Sequence, residues 1–370
     1  MKETKSLRVA IISPGIGQVQ RGFERFMRDL FEQLRGDVDA TLLKGGGPPG
    51  PNERALRFLP RNGAVQRHLP LHRLIGRTPF HIECLTFGMA MLPSLIAGKF
   101  DLVHVIDPPL ARMLWHVRRV LGLKFRLLYT EGCAMPPGDY PPADFTHQVS
   151  VVTEAEAVAY GHDAARMETI PCGFDPGRFE VAMDRRALRE RHGIGQDTFL
   201  VMSVSAINRG HKRTHHLIEE FAGVEGDAVL WLDGSLDHGD PDLLDHARER
   251  LGSRIRISHL PSEQVGELYR MADVMPHAAL FESFGLALVE AASCDLPVLA
   301  HDAPHFRWLL PNPACWLDMT EPGALRARLE EFRRDPAARA AATLGPQVRE
   351  RYGWERVRLE YLDLYRQVAS

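Results

Sequence analysis

Two glutamates eight positions apart bracket the run Phe281-Glu282-Ser283-Phe284-Gly285-Leu286-Ala287-Leu288-Val289-Glu290-Ala291. Val274-Met275-Pro276 reads as a strand end, so Glu282 falls on the loop after it, and Gly285 can open a helix that carries Glu290 more than a turn inside. Both carboxylates can accept hydrogen bonds from hydroxyl groups. The unpaired N–H groups and dipole at the helix start attract an anion. This chemistry suits a ligand that carries both sugar hydroxyls and phosphate.

A second group of charges lies in Ser203-Val204-Ser205-Ala206-Ile207-Asn208-Arg209-Gly210-His211-Lys212-Arg213, directly after an apolar strand. When a bond to a diphosphate breaks, negative charge grows on the leaving group. A fixed cation such as Lys212 in a dry site stabilises that charge more in the transition state than in the ground state. The first loop, Pro14-Gly15-Ile16-Gly17-Gln18-Val19-Gln20-Arg21-Gly22, is glycine-rich, but its third glycine arrives two residues late for a dinucleotide fingerprint, which weakens an oxidoreductase reading.

These groups must be positioned by elements that the apolar pattern reveals. Strands are expected at 7–12, 40–43, 102–106, 125–129 and 149–152, and again at 199–203, 229–232, 255–257 and 297–300. Helical spacing separates them, as in Phe26, Met27, Leu30, Phe31 and Leu34. Strand and helix alternation predicts parallel sheets covered on both faces. The fold class is α/β, with two Rossmann-like doubly wound domains facing across a cleft. Expected boundaries are 1–176 for an acceptor domain, 177–352 for a donor domain, and 353–370 for a last helix crossing back to the first. Ligands of such sheets sit outside the carboxyl ends of the strands.

A chain of 370 residues suits two domains, and a net charge of −3 gives no reason to expect a nucleic-acid partner. Five cysteines without a C-x-x-C pair indicate neither a disulfide framework nor a zinc site, and fit a reducing, cytoplasmic setting. The seventeen histidines show no metal-binding spacing, so no metal is expected. His104, inside a strand, reads as a core histidine. The apolar run at 9–12 is too short for a signal peptide, and no run is read as reaching the roughly 18 residues of a membrane span.

The motif and its flanks resemble glycosyltransferase family 4, a retaining group with the GT-B fold. The resemblance extends to Thr169-Ile170-Pro171-Cys172-Gly173-Phe174-Asp175-Pro176-Gly177-Arg178-Phe179 at the domain junction, to Lys212, and to Tyr352-Gly353-Trp354-Glu355-Arg356 before the last helix. It implies a metal-independent hexosyltransferase that uses a UDP- or GDP-sugar and needs no cofactor. Glu282 would hold donor-sugar hydroxyls and Glu290 the ribose. The backbone of Phe284, Gly285 and Leu286 would meet sugar and phosphate, and Lys212 with Arg209 the diphosphate. His259 and Leu260 would lie near the base, and Gly22, opening the first helix with Glu24, near donor phosphate or acceptor. Two positions depart from the family. Ala206 stands where an arginine is usual, with Arg209 the candidate substitute. Glu131 stands where a histidine is usual, as a candidate to hold a sugar hydroxyl, stabilise positive charge or cap a loop. The departures keep open a non-catalytic nucleotide-sugar binder, beside an epimerase or phosphorylase of the same fold.

Residues 52–77 interleave Arg54, Arg57, Arg61, Arg67, Arg73 and Arg77 with Leu56, Phe58, Leu59, Leu69, Leu71, Leu74 and Ile75. Such a segment is expected to meet an anionic or lipid-linked acceptor, or the inner membrane face, unless it is a solvated loop.

Overall fold

In β1 (Arg8–Ser13) every residue from Val9 onward is buried, which requires cover on both faces of the sheet. The computed structural model describes residues 6–19, 22–68, 78–132, 135–237 and 239–370. It divides into two units, one of residues 1–173 with Trp354–Ser370 and the other of Phe174–Gly353. The division thus falls at 173/174 and 353/354 rather than 176/177 and 352/353.

The first unit holds a seven-stranded parallel sheet. With β2 (Asp39–Lys44), β3 (Glu53–Ala55), β4 (Leu102–Val105), β5 (Arg126–Glu131), β6 (Phe145–Gln148) and β7 (Met167–Thr169), the order is β3-β2-β1-β4-β5-β6-β7. On one face, Ala10, Ile12, Val103, Val105, Leu127 and Tyr129 pack under the helices Pro79–Gly98 and Pro108–Val120. Alternation along the strands turns His104, Thr130 and His147 to the opposite face, where helix Trp354–Ala369 supplies Tyr361 and Tyr365.

These side chains form one hydrogen-bonded chain whose direction is fixed at its end. Nε2 of His147 lies 2.8 Å from the Ile170 carbonyl, which can only accept, so this nitrogen carries the proton and shares it with the Tyr361 hydroxyl at 3.0 Å. Nδ1 of His147 must then accept from the Thr130 hydroxyl at 2.9 Å. Thr130 in turn accepts from Nε2 of His104 at 2.6 Å, and Nδ1 of His104 accepts from Tyr365 at 2.8 Å. His104 is therefore a satisfied core residue.

Some sequence expectations change. The strand placed at 149–152 is instead β6, ending at Gln148. The side chain of Ser150 accepts from the Thr153 N–H at 3.2 Å and caps a helix, Val151–Ala159. Helix Pro79–Gly98 is long and apolar enough to cross a membrane by length and composition, contrary to the expectation that no run reached that size. Its single charge, Glu83, is buried and bonded by Arg61 at 2.6 and 2.9 Å, and Cys84, Phe87, Met91 and Leu95 pack into the core. The basic segment is likewise not a free amphipathic surface. Leu56 and Phe58 pack against the core, Phe58 edge-on to Phe87 at 5.1 Å. Arg61 lies 4.3 Å over Phe80, and Arg54 bonds Ser94 at 3.2 Å. Residues 69–77, with Arg73 and Arg77, and the side chain of Arg67 lie outside the described residues.

In the second unit, β8 (Phe199–Val204), β9 (Ala228–Asp233) and β10 (Ile255–Ser258) form one parallel group, and β11 (Met275–Pro276), β12 (Val298–His301) and β13 (Trp316–Leu317) another. A parallel bridge between Val201 and Val274, with Met202 N–H bonded to the Val274 carbonyl at 3.0 Å, joins β8 to β11. The composite order β10-β9-β8-β11-β12-β13 is Rossmann-like.

Burial lowers the basicity of His147 to about 4 although the Ile170 carbonyl opposes it, and holds His104 well below the usual range. A histidine with a depressed folded pKa binds fewer protons folded than unfolded. Stability is therefore fully present above pH 6.5 and falls as the pH drops toward 4, by about 3 kcal/mol for His147. Thr130→Val leaves two buried imidazole nitrogens unpaired and should cost about 2–4 kcal/mol in urea unfolding at pH 7. A loss under 0.5 kcal/mol, roughly the scatter of surface substitutions, would show that the chain does not hold the helix.

Candidate active site

Glu282 follows β11 and is 7% exposed. Its Oε1 accepts from Nε2 of His277 at 2.6 Å and from Nζ of Lys212, while Nε2 of His211 stands 3.8 Å from Oε2. Burial alone would raise its pKa. The hydrogen bond and charge of His277, then Lys212, more than reverse this and hold the carboxyl well below the usual carboxylate range. Glu282 is thus an ionised acceptor in a dry setting, a state that survives only because cations and donors surround it.

The loop before the next helix is pinned through its carbonyls. His211 Nε2 donates to the Phe281 carbonyl at 2.8 Å and His305 Nε2 to that of Phe284 at 2.9 Å. The Phe284 side chain is buried edge-on against Tyr352 at 5.7 Å and Trp308 at 6.2 Å, leaving only its backbone for a ligand. Gly285 has φ 97°, a conformation that lets the chain turn into helix Leu286–Ser293. The first N–H groups of that helix have no acceptor within it. Glu290 lies inside it, 3% exposed, and accepts from the Tyr269 hydroxyl at 3.2 Å.

Lys212 is aimed by Asn208, whose Oδ1 accepts the Lys212 N–H at 2.8 Å. Arg213, with φ 49°, donates to the carbonyls of Ala278 and Met319 at 3.2 and 3.0 Å and braces the loops from behind. Arg209 is differently placed. Its guanidinium is bidentate to Asp242 at 2.9 and 3.2 Å, and its N–H bonds Asp240 at 2.7 Å, so its charge is already engaged. After β10, Asp233 accepts from Ser258 at 2.6 Å and from the Leu260 N–H at 2.9 Å, fixing the turn that exposes His259. Lys212, Glu282, Gly285, Leu286 and Leu260 therefore follow the carboxyl ends of strands in one sheet.

In the first unit, Gly22 begins helix Gly22–Leu34, and Gln20 and Arg21 before it lie outside the described residues. The loop before it crosses closely at Gly17, where φ is 79° and a β-carbon would meet the Gly46 backbone at 2.3 Å. Glu131 ends β5 fully buried. Its two oxygens accept from Tyr140 at 2.7 Å and Gln148 at 2.6 Å, and burial outweighs these bonds to lift its pKa to about 7. Both oxygens are engaged inside the unit, so the geometry makes Glu131 an anchor for the segment after β5 rather than a nucleophile.

Sequence reading missed His277, His211, Asn208 and Asp233. His277 carried a signal, since it directly follows the strand end five residues before Glu282.

The two Rossmann-like units have the GT-B glycosyltransferase fold. Residues 184–349, nearly all of the second unit, match the family model described as glycosyl transferases group 1. A D-inositol 3-phosphate glycosyltransferase from Xylanimonas cellulosilytica is 27% identical over 282 residues, covering 65% of this chain and 64% of the relative. The chain thus spans less than two thirds of that relative's length. Sucrose-phosphate synthase from Thermosynechococcus elongatus superposes with a TM-score of 0.80 at 20% identity, covering 98% of this chain and 99% of its own. The Anabaena protein Alr3699/HepE, in complex with UDP and glucose, does so with a TM-score of 0.74 at 16% identity, covering 98% and 100%.

Gly285→Ala forces a side chain into positive φ, with its β-carbon 3.1 Å from Leu309. The cost should be about 1–2 kcal/mol, lowering Tm by about 2–8 °C in a thermal scan. An unchanged Tm would mean that the helix does not need this turn.

Proposed function

We propose that the chain transfers a glycosyl group from a UDP- or GDP-sugar to an acceptor hydroxyl, with retention of anomeric configuration and without a metal cofactor. One observation carries the reading: a buried, ionised Glu282 held between His277 and Lys212, beside the anion-attracting start of the helix that carries Glu290. Glu282 binds donor-sugar hydroxyls, Glu290 the ribose, and the backbone of 284–286 the sugar and phosphate. His259 and Leu260 lie along the base.

Lys212 has a double task. It neutralises Glu282 in the resting site and stabilises the leaving diphosphate during transfer. With the helix start it supplies the positive field that a divalent ion supplies in other transferases. Arg209 joins it only by leaving Asp242, an exchange of one anionic partner for another. Glu131 keeps its anchoring place, so retention proceeds by attack on the same face with the leaving phosphate helping to deprotonate the acceptor, and not through a glycosyl-enzyme. The acceptor is anionic or lipid-linked, in keeping with the inositol phosphate named for one relative. The setting is the cytoplasm, with peripheral contact at the inner membrane face.

A second reading, a nucleotide-sugar binder without turnover, draws on Ala206 and on the engagement of Arg209 by Asp240 and Asp242. Incubation with UDP- and GDP-sugars separates the two, since the transferase slowly hydrolyses its donor even without acceptor and the binder does not. Turnover should persist in EDTA and fall about 100-fold or more in Lys212→Ala. Loss in EDTA with rescue by magnesium would overturn metal independence, and a near-normal Lys212→Ala would remove the lysine from the chemistry. Proton NMR of fresh product should show the donor's configuration, and inversion would reject same-face attack.

A further inference from the structure

Helix Pro79–Gly98 is apolar on all sides, yet only 39% of its most apolar window is buried. An apolar helix that is not enclosed by its own protein needs other cover. Leu85, Met89 and Ile96 are 44%, 52% and 52% exposed. At 100° per residue they fall within an arc of about 40°, one stripe along the helix. The helix's sole charge, Glu83, is buried and spent on Arg61, so no charged residue of the helix interrupts that stripe.

The surroundings indicate what covers it. Helix Pro108–Val120 lies beside it on the same face of the sheet, in contact where Gly88 lets Met113 approach. The two helices therefore turn their outer sides the same way. The second helix contains no acidic residue, Arg119 is exposed at its end, and Lys124 is exposed just beyond. Lys99, exposed, terminates the first helix. An apolar stripe with Lys99 at its end, and Arg119 and Lys124 at the end of the neighbouring helix, complements a bilayer interface whose lipids are anionic.

We propose that Leu85, Met89 and Ile96, with Lys99, Arg119 and Lys124 at the ends of the two helices, form the surface by which the protein lies on an anionic membrane. This deepens the peripheral-contact part of the proposed function and replaces the basic segment at 52–77 as the membrane-facing element, since Leu56 and Phe58 of that segment pack against the core.

The test is sedimentation of the full chain with vesicles of phosphatidylcholine alone or mixed with phosphatidylglycerol. The wild type should sediment with the mixed vesicles at low salt, be released by high salt, and ignore phosphatidylcholine alone. Met89→Glu with Ile96→Glu, and separately Arg119→Glu with Lys124→Glu, should each lower binding at least about tenfold. These side chains point outward, and melting curves matching the wild type confirm folding. Leu359→Glu, at an exposed leucine of helix Trp354–Ala369, should bind as wild type does. A wild type that ignores mixed vesicles at low salt overturns peripheral contact itself. Binding that survives in both double variants leaves contact intact but rejects this surface. A dimer in analytical ultracentrifugation that Met89→Glu with Ile96→Glu dissolves would assign the stripe to a second copy of the chain instead.

Discussion

A carboxylate that is 7% exposed and ionised is stable only where its charge is answered, and Glu282 is answered by His277 and Lys212. Much of the second unit serves this arrangement. β11 delivers His277, Asn208 aims Lys212, and Arg213 ties the loops after β8 and β11 together. His305 and His211 hold the intervening carbonyls so that the chain can turn at Gly285 into the next helix. Removing one member of the cluster leaves a buried charge uncompensated, which costs far more than a surface ion pair. The cluster is therefore preorganised as well as charged, with the carboxylate already ionised and oriented.

The first unit solves a different problem with a neutral chain. His104, Thr130 and His147 occupy a sheet face that apolar residues would fill in most folds, and they are tolerable because each donor meets an acceptor from Tyr365 through to Ile170. The same bonds hold the last helix to the sheet. Buried charge in that unit is paired, as at Glu53, which Lys44 and Arg28 hold down at about 2 against its burial.

How much was legible follows from what each signal depends on. Strands such as β1 and β8 and the turn at Gly285 were readable because burial on both faces and positive φ restrict residue type locally. β6 was misplaced because Val149-Ser150-Val151-Val152 has strand composition, while the deciding interaction is a cap from Ser150. The apolar helix at 79–98 was overlooked because threonine, serine, glycine and proline break its run without adding charge. Glu282 and Lys212 were found from a motif, but their contact spans seventy positions and no spacing encodes it. The same holds for the pairing of Arg209 with Asp242 and of Glu131 with Tyr140 and Gln148, where a residue read as available proved to be engaged.

We propose that Glu282 reads the sugar and not the nucleotide. Titration calorimetry of wild type and Glu282→Gln, each with a nucleoside diphosphate and with its nucleotide sugar, separates the two contributions. The variant should bind the free diphosphate within about twofold of wild type but lose the increment due to the sugar, about 1.5–3 kcal/mol for a hydrogen bond to a charged acceptor. Equal loss for both ligands, or no loss for either, would contradict it.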